Sequence, residues 1–204
     1  MFQESLTTID LLRHGKPLGG NLYRGSTDDA LSKEGWMQMH SALGGHKPWS
    51  TIISSPLKRC ADFAQKWSST NNTEFELIPD FKEIHFGDWE GKGFEEIIET
   101  NQDLFLQHIH DPLHNSPPNG ESLNDFSIRV KNAWDALQDR IIGKHALVIT
   151  HGGVIRIILH HIMRTELNAV MRIAVPYACL TRISISHSPN GEMLPSLIFH
   201  SGRL

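Results

Sequence analysis

The sequence predicts an α/β fold: a three-layer α/β/α sandwich around a mainly parallel sheet. Three observations predict it. Short β-branched and apolar runs alternate with amphipathic helical patterns along most of the chain. With 204 residues, 39% of them apolar, one core can be buried without disulfides or structural metals. The two cysteines, Cys60 and Cys179, make neither a disulfide framework nor a CxxC site.

Residues 7–12 (TTIDLL) read as a buried strand. Ser32-Lys33-Glu34 opens a helix that brings Trp36, Met39 and Leu43 to one side. Residues 51–54 form a second strand, after which Ser55 as N-cap and Pro56 at N1 start a helix through Trp67. Residues 74–78 are a third strand. Residues 93–109 have a helical pattern, and 110–120 (HDPLHNSPPNG) form a Pro-rich loop. Ser122 and Asp125 are spaced as a capping box for a long helix to about Ile142. Residues 146–150 are a strand and 153–163 a helix. Residues 180–186 and 194–199 pair around Pro189-Asn190-Gly191, an antiparallel addition at one edge. The whole, 1–204, is expected to be one domain with a helical, lid-like insertion at about 93–122. The acidic stretch 74–103, ten carboxylates against Lys82 and Lys92, fits a solvated insertion.

The net charge of −4, from 19 basic and 23 acidic side chains, argues against a nucleic-acid binder. No apolar run reaches the roughly 18 residues of a membrane span. The N-terminal MFQESLTTIDLLRHG has no basic-then-apolar signal pattern, so a cytoplasmic protein is expected. Gly19-Gly20 and Gly44-Gly45-His46-Lys47 lack P-loop spacing.

In such sheets a ligand sits beyond the carboxyl ends of the strands. The first strand is followed by Arg13-His14-Gly15, the second by Ser54-Ser55-Pro56-Leu57-Lys58-Arg59, and 146–150 by His151-Gly152-Gly153. Two arginines and two histidines therefore converge beside a helix N-terminus, where backbone N–H groups favour an anion. Guanidinium forks match phosphate oxygens, so the cluster reads as a phosphoryl pocket. The third strand end supplies Glu83, a candidate general acid for an oxygen leaving group. It can act as an acid near neutral pH only if its surroundings keep it protonated; partial burial and a bound phosphate dianion both push that way, and Trp89 could help exclude water.

Arg13-His14-Gly15, Gly25-x-x-Asp28 with Leu31-Ser32-x-x-Gly35, Ser54-Ser55-Pro56-x-x-Arg59, Glu83-x-x-x-Gly87-Asp88-Trp89-Glu90-Gly91, Pro118-x-Gly120-Glu121-Ser122 and Thr150-His151-Gly152-Gly153 occur in this order. Six ordered blocks resemble the histidine phosphatase superfamily, in its phosphoglycerate mutase-like branch. The Phe86-Gly87-Asp88-Trp89-Glu90 form and the short chain look most like alpha-ribazole phosphatases and their broad-specificity relatives. The resemblance implies that His14 is the nucleophile and forms a phosphohistidine. Arg13, Arg59 and His151 would hold the phosphoryl oxygens, with Gly152 beside them, and Glu83 would protonate the leaving group. Asn21 and Arg24 lie on the loop where relatives place further phosphate or substrate contacts. No metal and no cofactor are implied.

The activity implied is metal-independent hydrolysis of a small-molecule phosphomonoester, with alpha-ribazole 5′-phosphate of cobalamin biosynthesis the favoured substrate. A broad-specificity phosphatase, a phosphoglycerate mutase and a non-catalytic phosphoester-binding module stay open. Mutases of the family typically run longer, and a binding module would be expected to lack one of His14, Arg59, Glu83 or His151. Lys16-Pro17 departs from the Glu or Gln then Ser or Thr of many relatives, and the Gly15-to-Asp28 segment is about two residues shorter. Both departures fall where specificity is set and leave the phosphoryl chemistry intact. Oligomeric state stays open.

Of 13 histidines, only His14 and His151 are assigned to chemistry. His108, His110 and His114 lack metal-ligand spacing and are expected at the surface. His160 and His161 point about 100° apart, so one buried and one exposed is expected. Cys60 is expected to be a small buried hydrophobe. Glu90 is passed over as the acid, and Ser122, with Glu121 beside it, is explained equally by capping or by site contact.

Overall fold

Residues 6–188, 190 and 192–202 are described by a computed structural model. Its sheet is built outward from β1 (Thr7–Arg13), which lies between β4 (His145–Thr150) and β5 (Leu180–His187). The strand order is β3-β2-β4-β1-β5-β6, with β2 (Thr51–Ser54), β3 (Glu74–Leu77) and β6 (Met193–Gly202) completing it. β3, β2, β4 and β1 pair in parallel. β5 is antiparallel to both β1 and β6, so it is the one reversed strand among the described ones. β6 exceeds the expected 194–199, and of the turn before it Pro189 and Gly191 lie outside the described residues.

Alternation along the strands builds the two other layers, because successive side chains point to opposite faces. Ile9, Leu11, Ala146 and Val148 meet Phe126, Val130 and Trp134 of α4 (Leu123–Arg140) and Ile155 and Ile158 of α5 (Gly152–Met163). Leu12, Leu147 and Ile149 meet Met39 and Leu43 of α1 (Lys33–Leu43) and Phe63 and Trp67 of α2 (Lys58–Asn71). On this second face the buried Asp10 takes both Arg182 donors (2.8 and 2.9 Å), Trp49 Nε1 (2.8 Å) and His145 Nε2 (2.9 Å). A third, smaller cluster of Trp89, Ile97 and Phe105 holds α3 (Phe94–His110) over the carboxyl ends of the strands. No described helix is long and apolar enough to cross a membrane.

Four expectations are corrected. The helix after β2 begins at Lys58, and Ser55 does not cap it. The Ser55 hydroxyl is committed to His151, 2.7 Å away, and Asp28 from a distant loop takes the Lys58 N–H at 2.7 Å. The helical 93–109 stretch is two pieces broken at Asn101 (φ −162°, ψ 77°), whose side chain caps the second piece through Leu104 N–H. His108 is buried, edge-on to Trp89 at 5.1 Å and bonded to the Asn115 carbonyl at 2.7 Å, because it faces inward from α3. His160 and His161 are both half-buried, since each finds a polar partner near the end of α5, Thr165 just past it and Asp135 on α4. His110 and His114 are exposed, and no metal-holding group of three or more His, Cys, Asp or Glu occurs among the described residues. Ser122 caps α4, its hydroxyl accepting from Asp125 N at 3.0 Å.

The backbone after β1 is pressed against the first turn of α1. A Cβ at Gly15 would lie 2.2 Å from the Gly35 carbonyl oxygen, and one at Gly35 would lie 2.2 Å from that of Lys16. Gly35→Ala is therefore expected to destabilise the protein by about 1–3 kcal/mol, as overpacking against backbone does. A urea unfolding midpoint equal to that of the wild type would contradict this packing.

Candidate active site

The register of β1 against β4 sets the first geometry. Arg13 is paired with Thr150, and His14 N–H donates to the Thr150 carbonyl at 2.9 Å. His14 and His151 thus leave adjacent strands side by side, their rings 5.2 Å apart. His14 Nδ1 lies 2.8 Å from the Gly15 carbonyl oxygen, which can only accept, so Nδ1 carries the proton and Nε2 keeps its lone pair.

Arg59, the second residue of α2, is wholly buried. Its terminal nitrogens donate to the carbonyls of Thr27 (2.6 Å) and Gly25 (2.8 Å), and Nε donates to His151 Nδ1 at 3.3 Å. His151 must then carry its proton on Nε2, which donates to the Ser55 hydroxyl. Burial first, and then the charges of Arg59 and Arg13, hold the His14 pKa well below its usual value. Burial and then Arg59 do the same to His151. Both rings are neutral.

Arg13 completes the cationic side. One terminal nitrogen donates to the Val175 carbonyl, and the guanidinium lies 4.3 Å over the Tyr177 ring. Its Nε is buried without a protein partner. Gly152 opens α5 directly beside it, close enough that a Cβ there would lie 3.4 Å from that Nε.

Glu83 lies across from the arginines on the irregular stretch after the 3-10 turn Pro79–Phe81. Its carboxylate accepts from Gly153 N–H at 2.9 Å and Ile84 N–H at 3.1 Å. A Cβ at residue 153 would fall 2.1 Å from Glu83 Oε1, so only glycine lets the carboxylate meet the α5 N-terminus. These groups share a cleft of about 320 Å³ whose floor includes Arg13, His14, Glu83 and Gly152 and whose walls include Tyr23, Phe86, Phe94 and Tyr177. Arg59 and His151 lie beneath that floor.

Asn21 is exposed at the mouth of the cleft. Arg24 reaches its wall, but its guanidinium braces its own loop, donating to Asp29 (2.5 Å), Gly20 O (2.6 Å) and Leu18 O (2.7 Å). Cys60 is buried as expected, and its thiol packs 3.7 Å from His151 Nε2 while burial pushes its pKa far up.

Sequence reasoning missed several participants. Tyr177 and Arg156 line the cleft with no local motif to mark them. Glu90 stands in a legible motif, but its role emerges only from the fold. It accepts from Gly25, Ser26, Thr27 and Phe86 N–H at 2.8–3.1 Å and from the Thr27 hydroxyl. Burial works against its charge, yet the Thr27 hydroxyl and the backbone donors outweigh it and hold the pKa low. By fixing residues 25–27, Glu90 aims two carbonyls at Arg59.

Two arginines, two neutral histidines and a carboxylate at one crevice of a parallel α/β sheet define an enzyme of the phosphatase class. The chain belongs to the histidine phosphatase superfamily (branch 1), whose family model matches residues 9–192. It is similar to the adenosylcobalamin/alpha-ribazole phosphatase of Escherichia coli (strain K12), 26% identical over 181 residues, covering 86% of this chain and 89% of that one. The metal-independent phosphoserine phosphatase of Arabidopsis thaliana is 28% identical over 163 residues, covering 76% and 68%. The crystal structure of the alpha-ribazole phosphatase from Shigella flexneri shares the fold, with a TM-score of 0.80 at 22% identity over 96% of both chains.

The depressed histidines make stability depend on pH. Unfolded imidazoles bind a proton near pH 6.5, whereas His14 and His151 do so only well below it. Their contribution is full above about pH 6.5 and is lost as the pH falls toward the folded values. The melting temperature is expected to drop between pH 7 and 5, and less steeply in His14→Asn. Parallel profiles for the two proteins would count against neutral burial of His14.

Proposed function

We propose that the protein is a cytoplasmic, metal-independent phosphomonoesterase that works through a phosphohistidine at His14, with alpha-ribazole 5′-phosphate of cobalamin biosynthesis as its substrate. The observation that carries the mechanism is the His14 tautomer, with Nδ1–H held by Gly15 and the Nε2 lone pair available beside Arg13.

Nε2 attacks phosphorus in line, and the bond from phosphorus to the ester oxygen breaks as the new N–P bond forms. A proton on the Glu83 carboxyl group passes to the leaving alkoxide as that bond breaks. The resulting carboxylate then takes a proton from the water that attacks the phosphohistidine, which releases phosphate and restores His14. Arg13, Arg59 and His151 stabilise the charge on the transferring oxygens. Two guanidinium charges against a phosphate dianion are the electrostatic support for chemistry without a metal. Asn21 at the mouth is positioned to touch the leaving group. Arg24 contributes through the shape of its loop. We also propose α3 and the loop through residue 122 as the lid-like insertion, since Phe94 at its start forms a cleft wall.

The aromatic walls support an aromatic leaving-group base, as does the name of the E. coli relative. A broad range of small phosphoesters is the second reading, favoured by comparable identity to a phosphoserine phosphatase. A kcat/KM comparison of alpha-ribazole phosphate, phosphoserine, 3-phosphoglycerate and sugar phosphates decides between them. One substrate ahead by about a hundredfold or more, roughly 2.7 kcal/mol of discrimination, means a dedicated enzyme.

Hydrolysis of p-nitrophenyl phosphate is expected to persist in EDTA and to vanish in His14→Ala. Loss of turnover with chelator would sink the metal-independent mechanism. Glu83→Gln is expected to slow alkyl phosphates by about 10²-fold or more and p-nitrophenyl phosphate far less, because only poor leaving groups need the proton. Equal losses on both would remove Glu83 from that role.

A further inference from the structure

We infer that Arg129, braced by Glu121, is the positioning residue that sets the place of the leaving-group acid Glu83. The inference rests on the role proposed above for Glu83.

Glu83 sits on a stretch with no regular secondary structure to hold it, between the 3-10 turns Pro79–Phe81 and Gly87–Trp89. One guanidinium on α4 gathers that stretch. Arg129 donates through Nη1 to the carbonyls of Asp80 (2.7 Å) and Lys82 (2.9 Å), and through Nη2 to that of Glu83 itself (3.0 Å). Its remaining fork, Nε and Nη2, grips the Glu121 carboxylate at 2.6 and 2.8 Å.

Glu121 holds the other flank. It accepts from His85 N–H at 3.2 Å, and its own N–H donates to the His85 carbonyl at 2.8 Å. The backbone is thus pinned on both sides of residue 83, while the carboxylate is pinned at its tip by Gly153. Arg129 does not line the cleft, so it does not touch the reacting groups and acts through what it positions, while its charge, which also reaches His151, is kept in a lysine variant.

Only an arginine has the planar set of donors needed to bind three carbonyls and a carboxylate at once. A lysine keeps the charge and drops most of the geometry. Misplacing a reacting group by about 1 Å costs on the order of 10²-fold in rate, so loosening this clamp should weaken proton donation while phosphoryl binding persists.

The test measures kcat/KM for R129K, E121Q and E83Q, and for R129K/E83Q, on an alkyl phosphate and on p-nitrophenyl phosphate. R129K is expected to lose about tenfold or more on the alkyl ester and less than about threefold on the activated one, with no further loss when added to E83Q. E121Q keeps the three carbonyl bonds and weakens the fork, so it should show the same split at smaller size. It serves as the measurement if R129K does not fold. Equal losses on the two esters, or losses that add in full to those of E83Q, overturn the inference and leave Arg129 a purely structural residue. If E83Q itself shows no dependence on leaving group, the acid role of Glu83 falls first and the inference falls with it.

Discussion

Arg59 places a full positive charge out of reach of water, with two carbonyls and a neutral imidazole as its partners. An ion taken from water costs several kcal/mol unless its surroundings replace the lost solvation. Much of the molecule serves that replacement. The carbonyls of Gly25 and Thr27 supply the negative ends of two dipoles, and Glu90 turns them inward by collecting the N–H groups behind them. Asp28 in the same loop caps the helix that carries Arg59. His151 accepts from Arg59 at Nδ1 and donates its Nε2–H to the Ser55 hydroxyl. A carboxylate against Arg59 would have met its charge more simply, but it would also compete with any anion approaching from the cleft. The dipolar arrangement leaves the positive potential available.

Charge is distributed on the same logic around the rest of the cleft. Burial first, and then the nearby arginines, keep the two imidazoles neutral, which leaves His14 with a free lone pair and His151 as a hydrogen-bonded neighbour. The one carboxylate in the cleft floor, Glu83, faces the N-terminus of α5 across glycine. The overall charge of −4 says nothing of this, because the excess acid lies on α3 and the neighbouring surface.

The fold was legible because it is written in local patterns. Short apolar and β-branched runs become strands with a helix on each face, and residues at or just after strand ends arrive in the crevice. The core of the candidate site was legible for the same reason, since Arg13 ends β1 and His14, Arg59 and His151 each follow a strand within a few residues. What the sequence concealed depends on contacts between distant segments. Arg129 lies 46 residues from Glu83 and reads as one charge on an amphipathic helix. Ser55 reads as a helix cap because its true partner, His151, is 96 residues away. His108 reads as surface because burial of a short loop beneath α3 has no periodic signal. Asn101 breaks that helix without proline or glycine, through its own side chain acting as a cap.

The reversed strand β5 decides something beyond sheet pairing. A strand running against its neighbours begins where they finish, so the chain must climb to the crevice before β5 can start. The segment that makes this ascent is 173–179, and it crosses the mouth of the site on its way. Along it the Ile173, Ala174 and Val175 carbonyls accept from Arg156, His200 and Arg13, and the Tyr177 ring lies against Arg13 and 5.8 Å from the His14 ring. Had the fifth strand run parallel, the chain would have entered it from the amino ends of its neighbours, and one wall of the cleft would have had to come from elsewhere. Direction of travel along a single strand thus furnishes both a brace for the Arg13 guanidinium and one side of the cleft's opening.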